Sequence, residues 1–227
     1  MKQTFFLLLI CMSCMYSRAQ DKTTLGLQYN VALPMGDFKN NYVRDASLRG
    51  ISLDLMHTVS PKWRVGAGAA YQDFYQKSQR SLYEREDGSL LSAVMTNTVQ
   101  TTTLMAKAMY LPSPEGRLQP FVSAGAGVNM AQVNQLLGQF DNINDAKFGL
   151  AAQAGAGVQY GLGAARRTSL TAGVQYNYLP FNNFNIGSLN NLTFGVGARF
   201  TLKQNNNSDR RNDGNDGGGR RPRHYGW

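Results

Sequence analysis

The sequence predicts an all-β fold, an eight-stranded antiparallel transmembrane up-and-down β-barrel. The first observation is the stretch Leu192–Leu202, in which every second residue is apolar and the residues between are polar or small. A period of two places the apolar side chains on one face of a strand. Its length also matches the roughly 9–11 residues that a tilted strand needs to cross a bilayer. The second observation is that seven earlier segments repeat this alternation, and the third is that long and short connections alternate between them.

The eight predicted strands share this alternation of apolar and polar residues. They are Thr24–Leu33, Gly50–Val59, Trp63–Asp73, Thr98–Leu111, Gln119–Ala131, Lys147–Leu162, Ser169–Tyr178 and Leu192–Leu202. Bacterial outer-membrane barrels have an even number of strands, short periplasmic turns and longer extracellular loops. The sequence therefore predicts an outer-membrane location, with both chain ends in the periplasm and the four long connections outside the cell.

The placement of charge favours a membrane barrel over a soluble one, such as a lipocalin, which also has eight alternating strands. The apolar faces contain no Lys, Arg, Asp or Glu, whereas the opposite faces carry Asp54, Arg64, Lys107 and Arg199. A charge facing lipid costs about 2–4 kcal/mol at the bilayer midplane. We expect these four residues to form a polar cluster inside the barrel. Asp54 is expected to pair with Arg64 across a hairpin, because an unpaired interior charge is costly.

Aromatic residues are predicted to form two belts at the two membrane interfaces, where amphipathic rings are favoured. The belt near the periplasmic strand ends comprises Trp63, Tyr110, Phe121, Tyr160 and Phe200, and the belt near the outer ends comprises Tyr71, Phe148, Tyr176 and Tyr178. An eight-stranded barrel is only wide enough for its own side chains. The interior is therefore expected to be filled.

Three segments are predicted along the 227-residue chain. Residues 1–19 have the features of a secretory signal peptide, with Lys2, the apolar run Phe5–Ile10 and a small-residue cleavage site that ends at Ala19. Cleavage before Cys14, as in a lipoprotein, is the alternative. Residues 20–202 are the predicted barrel, which contains no cysteine and therefore no disulfide.

Residues 203–227 are predicted to be a disordered periplasmic tail, because they are poor in apolar residues and rich in Asn, Gly, Asp and Arg. The end of the tail joins cationic and aromatic residues in a candidate motif for binding a periplasmic or outer-membrane protein. Its residues are Arg220, Arg221, Arg223, His224, Tyr225 and Trp227. The net charge of +9 would suit nucleic acid, but the predicted compartment argues against that partner.

Enzymatic and metal chemistry find little support in the sequence. The only histidines are His57, on a predicted outward face, and His224, in the tail, so a Ser-His-acid triad cannot assemble at the outer mouth. No cofactor or metal is predicted, and the acidic residues near Glu84 are interpreted as a solvated loop face. We expect a non-enzymatic protein with a structural or surface-interaction role, or an accessory subunit of an envelope complex. The first alternative is a narrow channel or transporter for small solutes, and the second is an outer-membrane enzyme.

The Gly-Ala tracts Ser123–Val128 and Gln153–Val158, together with the closing stretch LTFGVGARF, resemble the small outer-membrane β-barrel domains of Bacteroidetes-type bacteria, often labelled PorT-like or OmpA/OmpX-like. The closing stretch is similar to the signal read by the barrel-assembly machinery. The matching residues are Thr193, Gly195, Ala198 and Phe200. Ala198 is smaller than usual, and Phe200 is not C-terminal. The resemblance implies a barrel in outer-membrane lipid that meets the assembly machinery during insertion, and it implies no common activity.

Overall fold

The computed structural model describes residues 23–84, 90–137, 141–163, 166–183 and 186–202. The predicted signal peptide and the predicted tail lie outside the described residues. Eight long strands close into an antiparallel barrel, which confirms the predicted fold class and strand number. Among the described residues, no helix has the length and hydropathy needed to span a bilayer.

The described part of the chain contains twelve strands and one short helix. In chain order they are β1 (Thr23–Pro34), α1 (Asp37–Asn41), β2 (Ser47–Ser60), β3 (Trp63–Lys77), β4 (Ser81–Glu84), β5 (Leu90–Ala93), β6 (Met95–Tyr110), β7 (Leu118–Leu137), β8 (Asp141–Leu162), β9 (Thr168–Tyr178), β10 (Pro180–Asn183), β11 (Ile186–Ser188) and β12 (Asn191–Leu202). β4 pairs with β5 and β10 with β11. The other eight strands form the barrel in the order β1-β12-β9-β8-β7-β6-β3-β2.

The first and last strands close the barrel. β12 pairs with β1 without interruption, from Thr23 opposite Leu202 to Pro34 opposite Asn191. Each of the other barrel strands pairs with its two neighbours in the strand order given above. The sheet therefore has no free edge in the part that spans the membrane. The long connections meet at one end of the barrel, here called the long-loop end, and the short connections meet at the other, the short-turn end.

The inward and outward faces follow the predicted alternation. In β12, Phe194 and Val196 are 46% and 58% exposed, whereas Thr193 and Arg199 are 6% and 2% exposed. Neighbouring positions thus differ sharply in exposure because successive side chains of a strand point to opposite faces. The apolar residues are on the outside, as expected for a wall that faces lipid.

Strands β7 and β8 are longer than predicted, with 20 and 22 residues. The stretch from 132 to 146 was predicted to be a polar loop, but β7 and β8 remain paired as far as Leu137 opposite Asp141. β9 pairs with β8 only up to Tyr178 opposite Ala152. Outside the lipid, a pair of strands needs no continuous apolar face, because backbone hydrogen bonds between the strands can hold it together. The hydrophobic pattern therefore does not show where β7 ends and β8 begins.

Candidate functional site

The interior of the barrel is filled by side chains arranged in four layers. They are an apolar cluster at the short-turn end, a group of charged residues that overlaps this cluster in height, a network of amides and hydroxyls, and a second apolar cluster at the long-loop end. We call these the inner plug, the charged layer, the amide layer and the outer plug. Their residues are given as each is described.

The inner plug consists of Met56, Met109, Leu111 and Phe121, each at most 5% exposed. Phe121 points into the barrel, so its predicted place in the interface belt was wrong. A Cβ added at Gly157 would lie 2.7 Å from Phe121 Cζ. Glycine at this position on β8 thus leaves the room that the phenyl ring occupies. The outward position of Val122, the next residue, already implies that Phe121 faces inward.

The other predicted belt residues face outward. At the short-turn end, Trp63 and Tyr110 pack with ring centroids 5.0 Å apart, and Tyr160 and Phe200 are 44% and 42% exposed. The four residues predicted for the belt nearer the long-loop end, Tyr71, Phe148, Tyr176 and Tyr178, are all exposed on the outward face. These placements agree with the predicted alternation of every strand that carries them.

The charged layer centres on Asp54. Its Oδ1 accepts a hydrogen bond from Lys107 Nζ over 2.7 Å, and its Oδ2 lies 3.9 Å from Arg199 Nη2. All three side chains are at most 8% exposed. Lys107 reaches across β3 to make this contact, at the point where β3 carries Gly68 opposite Asp54. A Cβ at Gly68 would come within 2.8 Å of Lys107 Cε, so a larger residue would block the ion pair.

Arg64 does not pair with Asp54, and that prediction was wrong. In the β2–β3 register Arg64 lies opposite Thr58, and Asp54 lies opposite Gly68. Arg64 Nη1 instead donates to Gln159 Oε1 over 3.3 Å, and Arg199 Nη1 donates to the same oxygen over 3.4 Å. The four predicted residues all lie inside the barrel, with Lys107 and Arg199 at the Asp54 carboxylate and Arg64 linked to Arg199 through Gln159.

The amide layer is a hydrogen-bonded network that joins β8, β9 and β12. Gln153 Nε2 donates to Gln175 Oε1 over 2.5 Å and to Asn177 Oδ1 over 2.8 Å. Asn177 Nδ2 in turn donates to Asn191 Oδ1 and Thr193 Oγ1 over 2.8 and 2.9 Å. The cavity within this layer has a volume of about 30 Å³, which is room for about two water molecules.

The outer plug closes the long-loop end, and sequence reasoning missed it. Its members are buried apolar residues from strands and from the long connections: Ala32, Phe38, Val43, Phe74, Val99, Met105, Ala131, Val133, Ala151, Leu179, Phe181 and Leu189. Phe38 in α1 packs edge-on against Phe74 in β3, with ring centroids 4.9 Å apart. Single apolar residues within otherwise polar loops, such as Phe38 and Val43, were the available signal.

The connection that carries α1 is held over the barrel mouth by a few hydrogen bonds. Asn97 Nδ2 donates to the Tyr42 carbonyl over 3.1 Å, and the Arg44 amide donates to Gln76 Oε1 over 2.5 Å. Burial also raises the pKa of the Tyr42 phenol to about 12, because the charged form is disfavoured away from water. The connection is thus packed into the mouth.

The remaining predicted site residues are placed as follows. Thr193 and Gly195 are buried and face inward, whereas Phe200 faces outward, on the same face as Ala198. His57 also lies on the outward face, where its Nδ1 is 3.3 Å from Thr23 Oγ1. The six residues of the predicted tail motif lie outside the described residues. Within the described ranges, no group of three His, Cys, Asp or Glu side chains is arranged to hold a metal ion.

Comparison with solved structures finds similarity to barrel proteins of other bacteria. Neisserial surface protein A is 14% identical, with a TM-score of 0.50, and the match covers 81% of this chain and 98% of that one. Ail of Yersinia pestis, solved with the heparin analogue sucrose octasulfate, is 14% identical over 80% and 97% of the two chains, with a TM-score of 0.45. The N-terminal barrel domain of Pseudomonas aeruginosa OprF is 12% identical over 81% and 100%, with a TM-score of 0.43.

The family comparison identifies the chain. No curated protein matches the sequence. The model of the outer membrane protein beta-barrel domain matches residues 4–200, which is most of the chain. The closed eight-stranded barrel with an apolar exterior agrees with that match. The narrower PorT-like placement stays a prediction. The chain belongs to the outer membrane protein beta-barrel domain family and is an outer-membrane protein.

Proposed function

We propose that this protein is a non-conducting, non-enzymatic barrel whose long-loop end is a contact surface on the cell exterior. The observation that carries this proposal is the closure of the interior at both ends by apolar side chains. Ions and small solutes need a continuous polar path, and apolar constrictions exclude water. A barrel closed in this way provides a rigid support for its connections.

The arrangement of the interior disfavours the narrow channel, which was the main alternative. The cavity of about 30 Å³ lies in the amide layer, between the outer plug and the charged layer. Asp54 and Lys107 close the next level with an ion pair of 2.7 Å. A solute would have to displace side chains at every layer.

Liposome swelling tests this proposal. The full chain, refolded into liposomes, is expected to give no swelling with small sugars beyond that of empty liposomes. An open porin reconstituted in the same lipid is the positive control. Swelling that depends on solute size, at a rate well above the empty liposomes, would reject the closed barrel in favour of the channel.

The proposed orientation places the long-loop end outside the cell and both chain termini in the periplasm. It is supported by the gathering of the long connections at one end, since outer-membrane barrels keep their longer loops outside. Asp45→Cys, in an exposed long connection, is expected to react with a membrane-impermeant maleimide on intact cells. Lys62→Cys, in an exposed short turn, is the matched control and should react only after the cells are permeabilised. The opposite labelling would reverse the orientation.

The assembly signal stays a proposal that rests on Phe200. Phe200 faces outward near the short-turn end and pairs in register with Leu25 and Thr168. Phe200→Ala should reduce the heat-modifiable, folded fraction recovered from outer membranes. Phe194→Ala removes an outward ring of similar exposure from the same strand and should have a smaller effect. Equal yields of the two variants would count against a specific signal at Phe200.

The tail is proposed to bind a periplasmic or outer-membrane protein, which would make this chain an accessory subunit. The support is its cluster of arginines next to Tyr225 and Trp227. Proteins that co-purify with the full chain should be lost when residues 203–227 are deleted. A variant with Gln in place of Arg220, Arg221 and Arg223 tests whether charge carries the contact. Unchanged co-purifying proteins in the deletion variant would reject the role of the tail.

A further inference from the structure

The charged layer contains more positive than negative charge. Lys107 is paired with Asp54 at 2.7 Å, and Arg199 reaches the same carboxylate only at 3.9 Å. Arg64 hydrogen-bonds to the neutral amide of Gln159. The layer therefore holds three cations and one carboxylate inside a wall that faces lipid, and only two of the cations reach that carboxylate. Buried charge without a counter-charge is strongly unfavourable.

Hydrogen-bond donors without partners gather at the same level. Arg199 Nε and Nη2, Gln159 Nε2 and Thr171 Oγ1 are buried and make no hydrogen bond. These residues are 2%, 2% and 4% exposed, respectively. Buried polar atoms in proteins are nearly always paired. The donors of Arg199 and Gln159 can be satisfied only by an acceptor, and the Thr171 hydroxyl can donate to the same one.

The strand register makes these donors neighbours. Gln159 on β8 lies opposite Thr171 on β9, and Thr171 lies opposite Gly197 on β12. The next inward residue along β12 is Arg199. Arg64 joins the group from the other side of the barrel, because it and Arg199 both donate to Gln159 Oε1, over 3.3 and 3.4 Å. Two guanidinium groups are thus brought close together, where they repel each other.

We propose that a small monovalent inorganic anion, chloride in the cell, binds inside the barrel between Arg64 and Arg199. It accepts hydrogen bonds from the free donors of Arg199, Gln159 and Thr171, and it offsets part of the surplus positive charge. Water could pair with the donors but would leave the charge uncompensated. The side chains of Gln159, Thr171 and Arg199 are almost fully buried, so the ion is a structural component of the barrel. This site does not depend on the proposed surface function.

Thermal unfolding of the purified full chain in detergent tests the site. The unfolding midpoint should rise with sodium chloride and saturate, but should not rise with sodium gluconate at equal ionic strength, because gluconate is too large to enter. Arg64→Gln should weaken the apparent chloride affinity about tenfold, because it removes one of the two positive charges between which the ion lies. Asp54→Asn increases the surplus positive charge and should strengthen the affinity. Arg49→Gln, which removes an exposed outer cation, should leave the affinity unchanged.

Two results would overturn the proposal. One is an equal response to chloride and gluconate, which would show only a general salt effect, with water at the donors. The other is an equal chloride affinity in Arg64→Gln and Arg49→Gln. Crystals of the unchanged protein that has been refolded and crystallised in sodium bromide give a check that does not require variants to fold. An anomalous peak between the two arginines and within hydrogen-bond distance of Arg199 supports the site, and well-ordered arginines without such a peak reject it.

Discussion

The inner and outer plugs close the same barrel in different ways. Met56, Met109 and Phe121 of the inner plug belong to barrel strands, and Leu111, which follows β6, is fixed by a hydrogen bond from its amide to the Lys62 carbonyl over 2.8 Å. The outer plug combines seven barrel-strand residues with five residues of the long connections, including Phe38 in α1. The inner plug is therefore part of the wall, whereas the connection residues of the outer plug can come away without any change in the pairing of the barrel strands.

Loss of the largest inner side chain should have the greatest effect on stability. Phe121→Ala leaves a cavity among Met56, Met109 and Leu111 and should lower the free energy of unfolding by about 3–5 kcal/mol. Urea unfolding in lipid vesicles measures this change. The control is Phe194→Ala, whose ring is 46% exposed on the outward face and should matter less. A similar loss of unfolding free energy in the two variants would indicate that Phe121 lies at the membrane interface and not in the inner plug.

A substitution that fills the space occupied by the Phe121 ring should have the next largest effect on the free energy of unfolding. In Gly157→Ala, the new methyl group would press on the Phe121 ring and on the Ala172 carbonyl, which should cost about 1–3 kcal/mol in the same unfolding experiment. Gly161→Ala is the control on the same strand, since its nearest neighbours, at 3.3 Å or more, are atoms of the flexible Arg166 side chain. A neutral Gly157→Ala variant would contradict tight packing of the inner plug.

The outer plug should respond locally. Phe38→Ala should weaken docking of α1 by about 1–2 kcal/mol and leave the unfolding of the barrel nearly unchanged, because the connection can open by itself. Protease cleavage between residues 37 and 46 of the vesicle-embedded protein should become about tenfold faster. Phe148→Ala, which removes an 81% exposed outward ring, is the control. If Phe38→Ala destabilised the barrel as much as Phe121→Ala, the outer plug would be as tightly coupled to unfolding of the barrel as the inner plug is.

Ionisation of Tyr42 should have the smallest and most local effect, because it changes only the docking of the connection that carries α1. Its phenol has a pKa of about 12 in the docked connection, against 10.0 for the free side chain. The docked form thus retains the proton to higher pH, so docking is fully stable below pH 10 and weakens as the pH rises from about 10 to 12. The difference in phenolate absorbance between the wild type and Tyr42→Phe should have its midpoint near pH 12. A midpoint near 10 would mean that the connection is not packed.

The sequence alone was sufficient for the faces of the barrel strands. A period of two, once fixed by residues such as Phe194 and Val196, extends along a whole strand because the backbone allows no other alternation. The error at Phe121 arose where this rule was not applied. The ring was assigned by its distance from the membrane interface, although its neighbour Val122 already fixed its direction.

Interactions between distant strands could not be predicted. The pairing of Asp54 with Lys107 depends on Gly68 leaving space across β3, and this requires the register of three strands and the curvature of the closed wall. A sequence shows which residues face inward, but it does not show which of them meet. The choice of Arg64 as the partner of Asp54 failed for this reason.

The long connections were the least predictable part. The β7–β8 extension has only scattered apolar residues, such as Val133 and Leu136, so it has no hydrophobic period by which to recognise it. Phe38, Val43 and Leu189 are single apolar residues in polar segments, and such residues are common on protein surfaces. These residues are buried because they fill the opening at the long-loop end of the closed barrel. The size and position of that opening depend on the folded structure and cannot be inferred from the local sequence.

Current recording across planar lipid bilayers tests the closed interior most directly. The wild-type chain should give no discrete current steps. Phe38→Ala and Phe121→Ala should be equally silent, because each leaves the opposite plug in place. Stable current steps from the wild-type protein, or from either single variant, would contradict the account that the barrel is closed independently at both ends.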